Sequence, residues 1–151
     1  MDKDGLRFHL DDTIGYALNR CVILLRIRLA QQFSENGYDV TAEEWVILNR
    51  LWQKEGRPQN ELAETTIKDK TTVTRLLNRM EKKGLITRRI STEDGRVKLV
   101  YLTPYARELE AGLIPIAQGV LWASVAEVDE ADVATTVSVL KKIEQNLLDF
   151  A

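Results

Sequence analysis

Between Lys70 and Thr103 the hydrophobic period changes with no linker between the two patterns. The stretch "KTTVTRLLNRMEKKG" (70–84) sets Val73, Leu76, Leu77 and Met80 at i, i+3, i+4 and i+7, one face of a helix. Asp69 is a candidate N-cap for it and Gly84 a C-terminal stop. Immediately afterwards "LITRRIS" (85–91) and "VKLVYLT" (97–103) alternate and carry β-branched residues, with the turn-forming "TEDGR" between them. A helix that gives way at once to a tight hairpin restricts the architectures open to the chain. The opposite face of the helix sharpens the restriction. It carries Thr71, Arg75, Asn78 and Lys82, flanked by Thr72, Thr74 and Arg79. Hydroxyls, an amide and guanidinium groups are the side chains that reach base edges and phosphates.

The flanks are helical. Residues 12–35 place Ile14, Leu18, Cys21, Leu25 and Leu29 at helical spacing, and Val22, Leu24 and Ile27 widen the stripe. That is more apolar surface than a one-sided helix needs, so burial on two sides is expected. "TAEE" (41–44) is a capping box and opens a helix through about Lys54, ended by "EGRP" with Gly56 as C-cap. "QNELAETT" (59–66) is a short helix offering Leu62 and Ala63 to a core, Ile67 follows it, and "IKD" is a turn. Thr103 and Pro104 start a long helix to about Val128, in which Pro115 should produce a kink or a break. Asp129 should cap a last helix bearing Val133, Val137, Leu140, Ile143 and Leu147. Two helices, a turn and a hairpin in this order make a winged helix-turn-helix. The expected fold is therefore mainly α with a small β-hairpin, its winged core (41–103) flanked by long helices at 1–35 and 104–151.

Charge is distributed unevenly. Ile67–Lys98 holds ten basic and four acidic residues, a net of +6, whereas the remainder carries −8 and the whole chain −2. A basic block in an acidic protein is a partner signal, with nucleic acid the usual partner, although a solvated charged face gives the same composition. Apolar runs such as "CVILL" (21–25) are too short to cross a bilayer, and the N-terminus lacks an apolar signal core, so a cytoplasmic location with no membrane partner is expected. One histidine and one cysteine make no convincing zinc site. No Ser-His-Asp set, phosphate loop or His/Glu metal pattern is present, so neither an enzyme nor a cofactor is expected.

The stretch "ELAETTIKDKTTVTRLLNRMEKKGLITRRISTEDGRVKLVYLT" resembles the DNA-binding core of the MarR family of bacterial transcription regulators. The features that match are the Thr-rich helix with its arginine (71–75), "KKGLI" (82–86), the basic Arg88 and Arg89, and the wing Asp94-Gly95-Arg96. The likeness extends to Trp45 and to the long terminal helices. It implies a homodimer whose first and last helices interlock, bound to double-stranded DNA at a pseudo-palindromic operator. Thr71, Thr72, Thr74, Arg75, Asn78 and Arg79 would face the major groove and Arg96 the minor groove, with Arg88, Arg89 and Lys98 as further basic contacts. Asp94 would orient Arg96; as a residue before glycine it is equally suited to forming the turn.

Members of this family commonly act as repressors that release DNA on binding small aromatic or phenolic ligands, or on oxidation. Trp45 and Trp52, one heptad apart, either line a crevice between the terminal helices and the winged core or are core aromatics. Tyr16, Arg20 and Arg28 are weaker ligand candidates. Cys21 raises a redox role, but the reactive cysteine of the peroxide-sensing branch corresponds to the neighbourhood of Ala17. On the apolar stripe Cys21 is expected to be a buried structural thiol. A winged-helix protein–protein adaptor is the remaining alternative, disfavoured because an adaptor surface should be more apolar than residues 71–82.

Overall fold

The computed structural model describes residues 9–66 and 68–150. Ile67, at the start of the expected turn, lies outside the described residues, as do residues 1–8 of the expected first segment and Ala151. After a 3₁₀ turn at Leu10–Asp12 come α1 (Ile14–Glu35), α2 (Ala42–Gln53), β1 (Arg57–Pro58), α3 (Gln59–Thr66) and α4 (Lys70–Lys82). The chain continues through β2 (Ile86–Ile90), β3 (Lys98–Leu102), α5 (Pro104–Ser124) and α6 (Glu130–Leu148).

Local chemistry sets most of these boundaries. The hydroxyls of Thr13, Thr41 and Thr103 accept the N–H groups of Tyr16, Glu44 and Ala106, and Asp69 accepts that of Thr72. At Thr41 the capping box is complete, because Glu44 accepts the Thr41 N–H in return. Gly84 ends α4 at φ 74°, a left-handed conformation that glycine adopts without strain.

The sheet is antiparallel in the order β1-β3-β2. Arg88 stands opposite Val100 and Ile90 opposite Lys98, which fixes the wing register. The hairpin expected from sequence thus gains a third strand: Arg57 and Pro58 pair with Val100 and Leu99. Pro58 fits there because an edge strand leaves its missing N–H without a required partner. One core unites the parts, with Ile47, Leu48 and Leu51 from α2, Leu62 from α3, and Val73, Leu77 and Met80 from α4. Leu85, Ile86, Val100 and Leu113 complete it from the hairpin and α5, and Phe33 from the end of α1.

Four expectations change. Helix α5 runs unbroken past Pro115, because Ala111 and Pro115 are both exposed, so water can meet the carbonyl the proline leaves without a donor. It ends at Ser124 rather than near Val128. Asp129 precedes α6, but its side chain makes no capping hydrogen bond. Finally, the described residues leave the wide apolar stripe of α1 uncovered. Phe33 is the only buried residue of α1, α6 buries none, and Ile14, Leu24, Ile27 and Leu147 are each more than half exposed.

Candidate nucleic-acid interface

Helix α4 is the exposed helix of the helix-turn-helix, and its buried and exposed faces are the two read from sequence. Val73, Leu76, Leu77 and Met80 are buried, while Thr71, Arg75, Asn78 and Lys82 are exposed. The intramolecular partners of the polar side chains sort the candidates. Among the described residues Thr71, Arg75 and Lys82 make no side-chain hydrogen bond, so their donors face solvent. Thr72 is occupied in the cap: its hydroxyl donates to Asp69 Oδ2 at 2.8 Å and its N–H to Oδ1 at 2.8 Å. These bonds hold the Asp69 carboxyl below the ordinary carboxylate range. Thr74 is half-buried, donating to the Lys70 carbonyl (2.8 Å) and accepting from Gln59 Nε2 (3.1 Å). Its hydroxyl proton is therefore not presented outward as the sequence suggested.

Arg79 and Arg88 are likewise turned towards the protein. Arg79 Nε lies 3.4 Å from Glu44 Oε2, with half of its side chain still exposed. Arg88 donates from Nε to Glu81 (3.0 Å) and from Nη2 to Asn78 Oδ1 (2.6 Å), and its side chain is 14% exposed. The Arg88 guanidinium holds the Glu81 carboxyl below its usual value. On the adjacent strands, Arg89 stacks over the Tyr101 ring at 4.6 Å and Lys98 is exposed.

At the wing tip Asp94 fills both roles that the sequence left open. Its Oδ1 accepts the Arg96 N–H at 3.0 Å, closing an Asx turn, and lies 3.3 Å from Arg96 Nε. The Ser91 hydroxyl accepts the N–H groups of Glu93 and Asp94 and braces the turn from the other side. Arg96 projects from this turn with 92% of its side chain exposed.

Behind the core, α1, α2, α3 and α5 leave a cleft of about 300 Å³. Trp45 lines it together with Leu29, Val46, Ala117 and Leu121, and Arg26, Glu43 and Lys68 supply charge. Arg26 and Glu43 pair at 3.6 Å. Of the five residues proposed for a ligand, only Trp45 is in this cleft. Trp52 is held in the core, edge-on to Trp45 at 5.7 Å, with its Nε1–H donating to the Ala106 carbonyl at 3.0 Å. Tyr16 and Arg20 line a separate shallow hollow with Cys21, and Arg28 donates to Gln31 on the surface of α1. Cys21 is exposed, contrary to the expectation of burial, because none of the described residues covers that face of α1. Arg26, Lys68 and the threonines Thr65 and Thr66 escaped the sequence reading. They lie on α1, on α3 and just after it, and only the packing of both helices against α2 brings them together.

An exposed polar helix beside a β-hairpin whose tip carries a projecting arginine defines a winged helix-turn-helix of the nucleic-acid-binding kind. The comparisons sharpen the class. Residues 40–98 match the MarR family model. The "Transcriptional regulator HosA" of Escherichia coli O157:H7 is 32% identical over 82 residues, which is 54% of this chain and 61% of that protein. The chain thus aligns with about three-fifths of the length of this curated relative. A "probable transcriptional regulator from Pseudomonas aeruginosa" of known structure is 29% identical and superimposes with a TM-score of 0.79, covering 89% of this chain and 99% of that one. Bordetella bronchiseptica BpsR, whose solved structure addresses the regulation of its DNA binding by 6-hydroxynicotinic acid, is 22% identical. Its TM-score is 0.83, over 92% of this chain and 98% of the other. The winged core, residues 40–98, is thus similar to the MarR family of transcriptional regulators.

Proposed function

We propose that this protein is a homodimeric, sequence-specific regulator of transcription that binds double-stranded DNA and represses until a small aromatic or phenolic ligand releases it. The observation that carries the proposal is the exposed row Thr71, Arg75, Asn78 and Lys82 on α4, set beside a wing whose Arg96 is 92% exposed. Such a helix fits a major groove, and a projecting arginine fits the narrow, strongly negative minor groove of A·T-rich DNA. Arg89 and Lys98 flank the two as candidate phosphate contacts. Asp94 aims Arg96, and the Arg88–Asn78 bond holds the amide of the helix in place.

The uncovered apolar faces of α1 and α6 support a dimer through those helices. Two copies related by a two-fold axis would read half-sites about one helical turn, roughly 34 Å, apart. The cleft supports the ligand. Trp45 and aliphatic walls suit an aromatic ring, and Arg26 and Lys68 suit an acidic substituent. The effect of 6-hydroxynicotinic acid on BpsR is consistent with a ligand of this class.

An electrophoretic shift assay tests the core of the proposal. Arg96→Ala should weaken operator binding strongly, whereas Lys141→Ala on α6 should leave it unchanged. Equal effects would refute the wing assignment. Footprinting around the protein's own gene, with and without aromatic acids, tests both autoregulation and release.

A further inference from the structure

Two carboxylates, one packed against α4 and one on it, sit in the part of the protein that would meet phosphate. Glu44 is the only buried charged side chain among the described residues, at 0% exposure. Its Oε1 accepts the Thr41 N–H at 2.9 Å and Lys83 Nζ at 2.9 Å, while Oε2 faces Arg79. Lys83, the C-cap of α4, is 23% exposed and also reaches Asp39 at 3.3 Å. Glu81, on α4 itself, holds Arg88 of β2, and Arg88 in turn holds Asn78. The C-terminal half of α4 is thereby tied to the first turn of α2 on one side and to the wing on the other.

We propose that Glu44 and Glu81 are positioning residues that fix the pose of α4 for specific DNA binding, and that Lys83 and Arg88 serve these carboxylates instead of phosphate. The inference rests on the DNA-binding function proposed above. Charge alone argues the opposite way, since two anions beside a DNA-facing surface repel the phosphate backbone. Their arrangement shows what offsets that repulsion. Buried or half-buried ion pairs with hydrogen-bonded partners resist rotation of the helix, and a guanidinium that can only donate obliges Asn78 to turn its Oδ1 inward. Any carboxamide proton that reads a base is aimed by Arg88.

The two accounts predict opposite signs. Glu44→Gln keeps an amide oxygen for the capping box but removes the charge from Lys83 and Arg79. Glu81→Ala keeps helix propensity and releases Arg88. Both are measured by fluorescence anisotropy on a duplex enriched by the wild-type protein from a random pool, and on a scrambled duplex of equal length. The temperature is one at which thermal unfolding shows every variant fully folded. The expected result is a fall of about tenfold in affinity for the enriched duplex, the scale of a lost charge-assisted hydrogen bond, with scrambled-duplex affinity unchanged or raised. Arg88→Met should lower the same ratio and leave the salt slope unchanged. Loss of one phosphate contact per subunit would flatten that slope by about two. An unchanged ratio of specific to scrambled affinity overturns the inference while the proposed function stands. Failure of the wild-type protein to enrich any duplex overturns the proposed function, and the inference with it.

Discussion

Gly112 shows how one hydrogen in place of a methyl group sets the approach of α5 to the loop between α1 and α2. A Cβ at this position in α5 would run into the Tyr38 hydroxyl and ring carbon beside it, and Tyr38 itself packs against the core. Gly112→Ala gains helix propensity but must displace that ring. The overpacking cost should prevail, lowering stability by about 1–3 kcal/mol in denaturant unfolding. Glu55 gives a second residue-scale prediction. It accepts both Arg107 Nε and Nη2 at 2.9 Å and the Leu102 N–H at 2.9 Å, joining the loop after α2 to β3 and α5. The Arg107 guanidinium, helped by the Leu102 N–H, holds the Glu55 carboxyl below its ordinary 4.5. A carboxyl lowered on folding contributes stability above its unfolded pKa and loses that contribution as the pH falls through the folded value. Melting temperature should therefore drop between pH 5 and pH 3, and Glu55→Gln should make that drop shallower. A parallel pH profile for wild type and variant would count against the assignment.

At the scale of elements, the sequence is most informative where one local interaction decides. The complete capping box at Thr41–Glu44, the four-residue buried stripe of α4 and the hairpin itself follow from spacing that any stretch of chain carries by itself. Thr41→Ala should accordingly cost about 1 kcal/mol in chemical denaturation, the usual cost of a lost N-cap. Features that need two distant segments were not legible. Strand β1 is two residues long and exists only because Val100 and Leu99 lie alongside it. The cleft needs α1, α2, α3 and α5 at once, so Lys68 looked like one cation in a basic run. Arg88 and Arg79 share the limitation. Composition counts their charge towards DNA, but only the packed structure shows that carboxylates on α4 and α2 already hold them. Residue types thus announced a basic surface, whereas which of its cations the protein itself holds depends on tertiary contacts.

Surface area brings the whole molecule into the argument. A compact monomer of this mass, 17.2 kDa, exposes about 7,800 Å². The single chain exposes 11220 Å², with aliphatic side chains standing out along α1 and α6. Monomeric proteins rarely leave apolar faces of that extent uncovered, so a second copy is their expected partner. That expectation ties oligomeric state to DNA affinity in one measurable quantity. With about four or five phosphate contacts from each subunit, the dimer should show a log K versus log [salt] slope of roughly −7 to −9. Ile27→Glu combined with Leu147→Glu places charges on faces that are solvent-exposed in the single chain, so the winged core should fold as before. Facing their symmetry mates, however, those charges should split the dimer, which sedimentation can follow directly. On the same duplex the monomeric variant should then give about half the slope, because one wing and one recognition helix remain. If the variant sediments as a monomer yet retains the full slope, the contacts belong to one subunit and the two-fold model of binding fails. If it stays dimeric, the interface lies elsewhere than on α1 and α6.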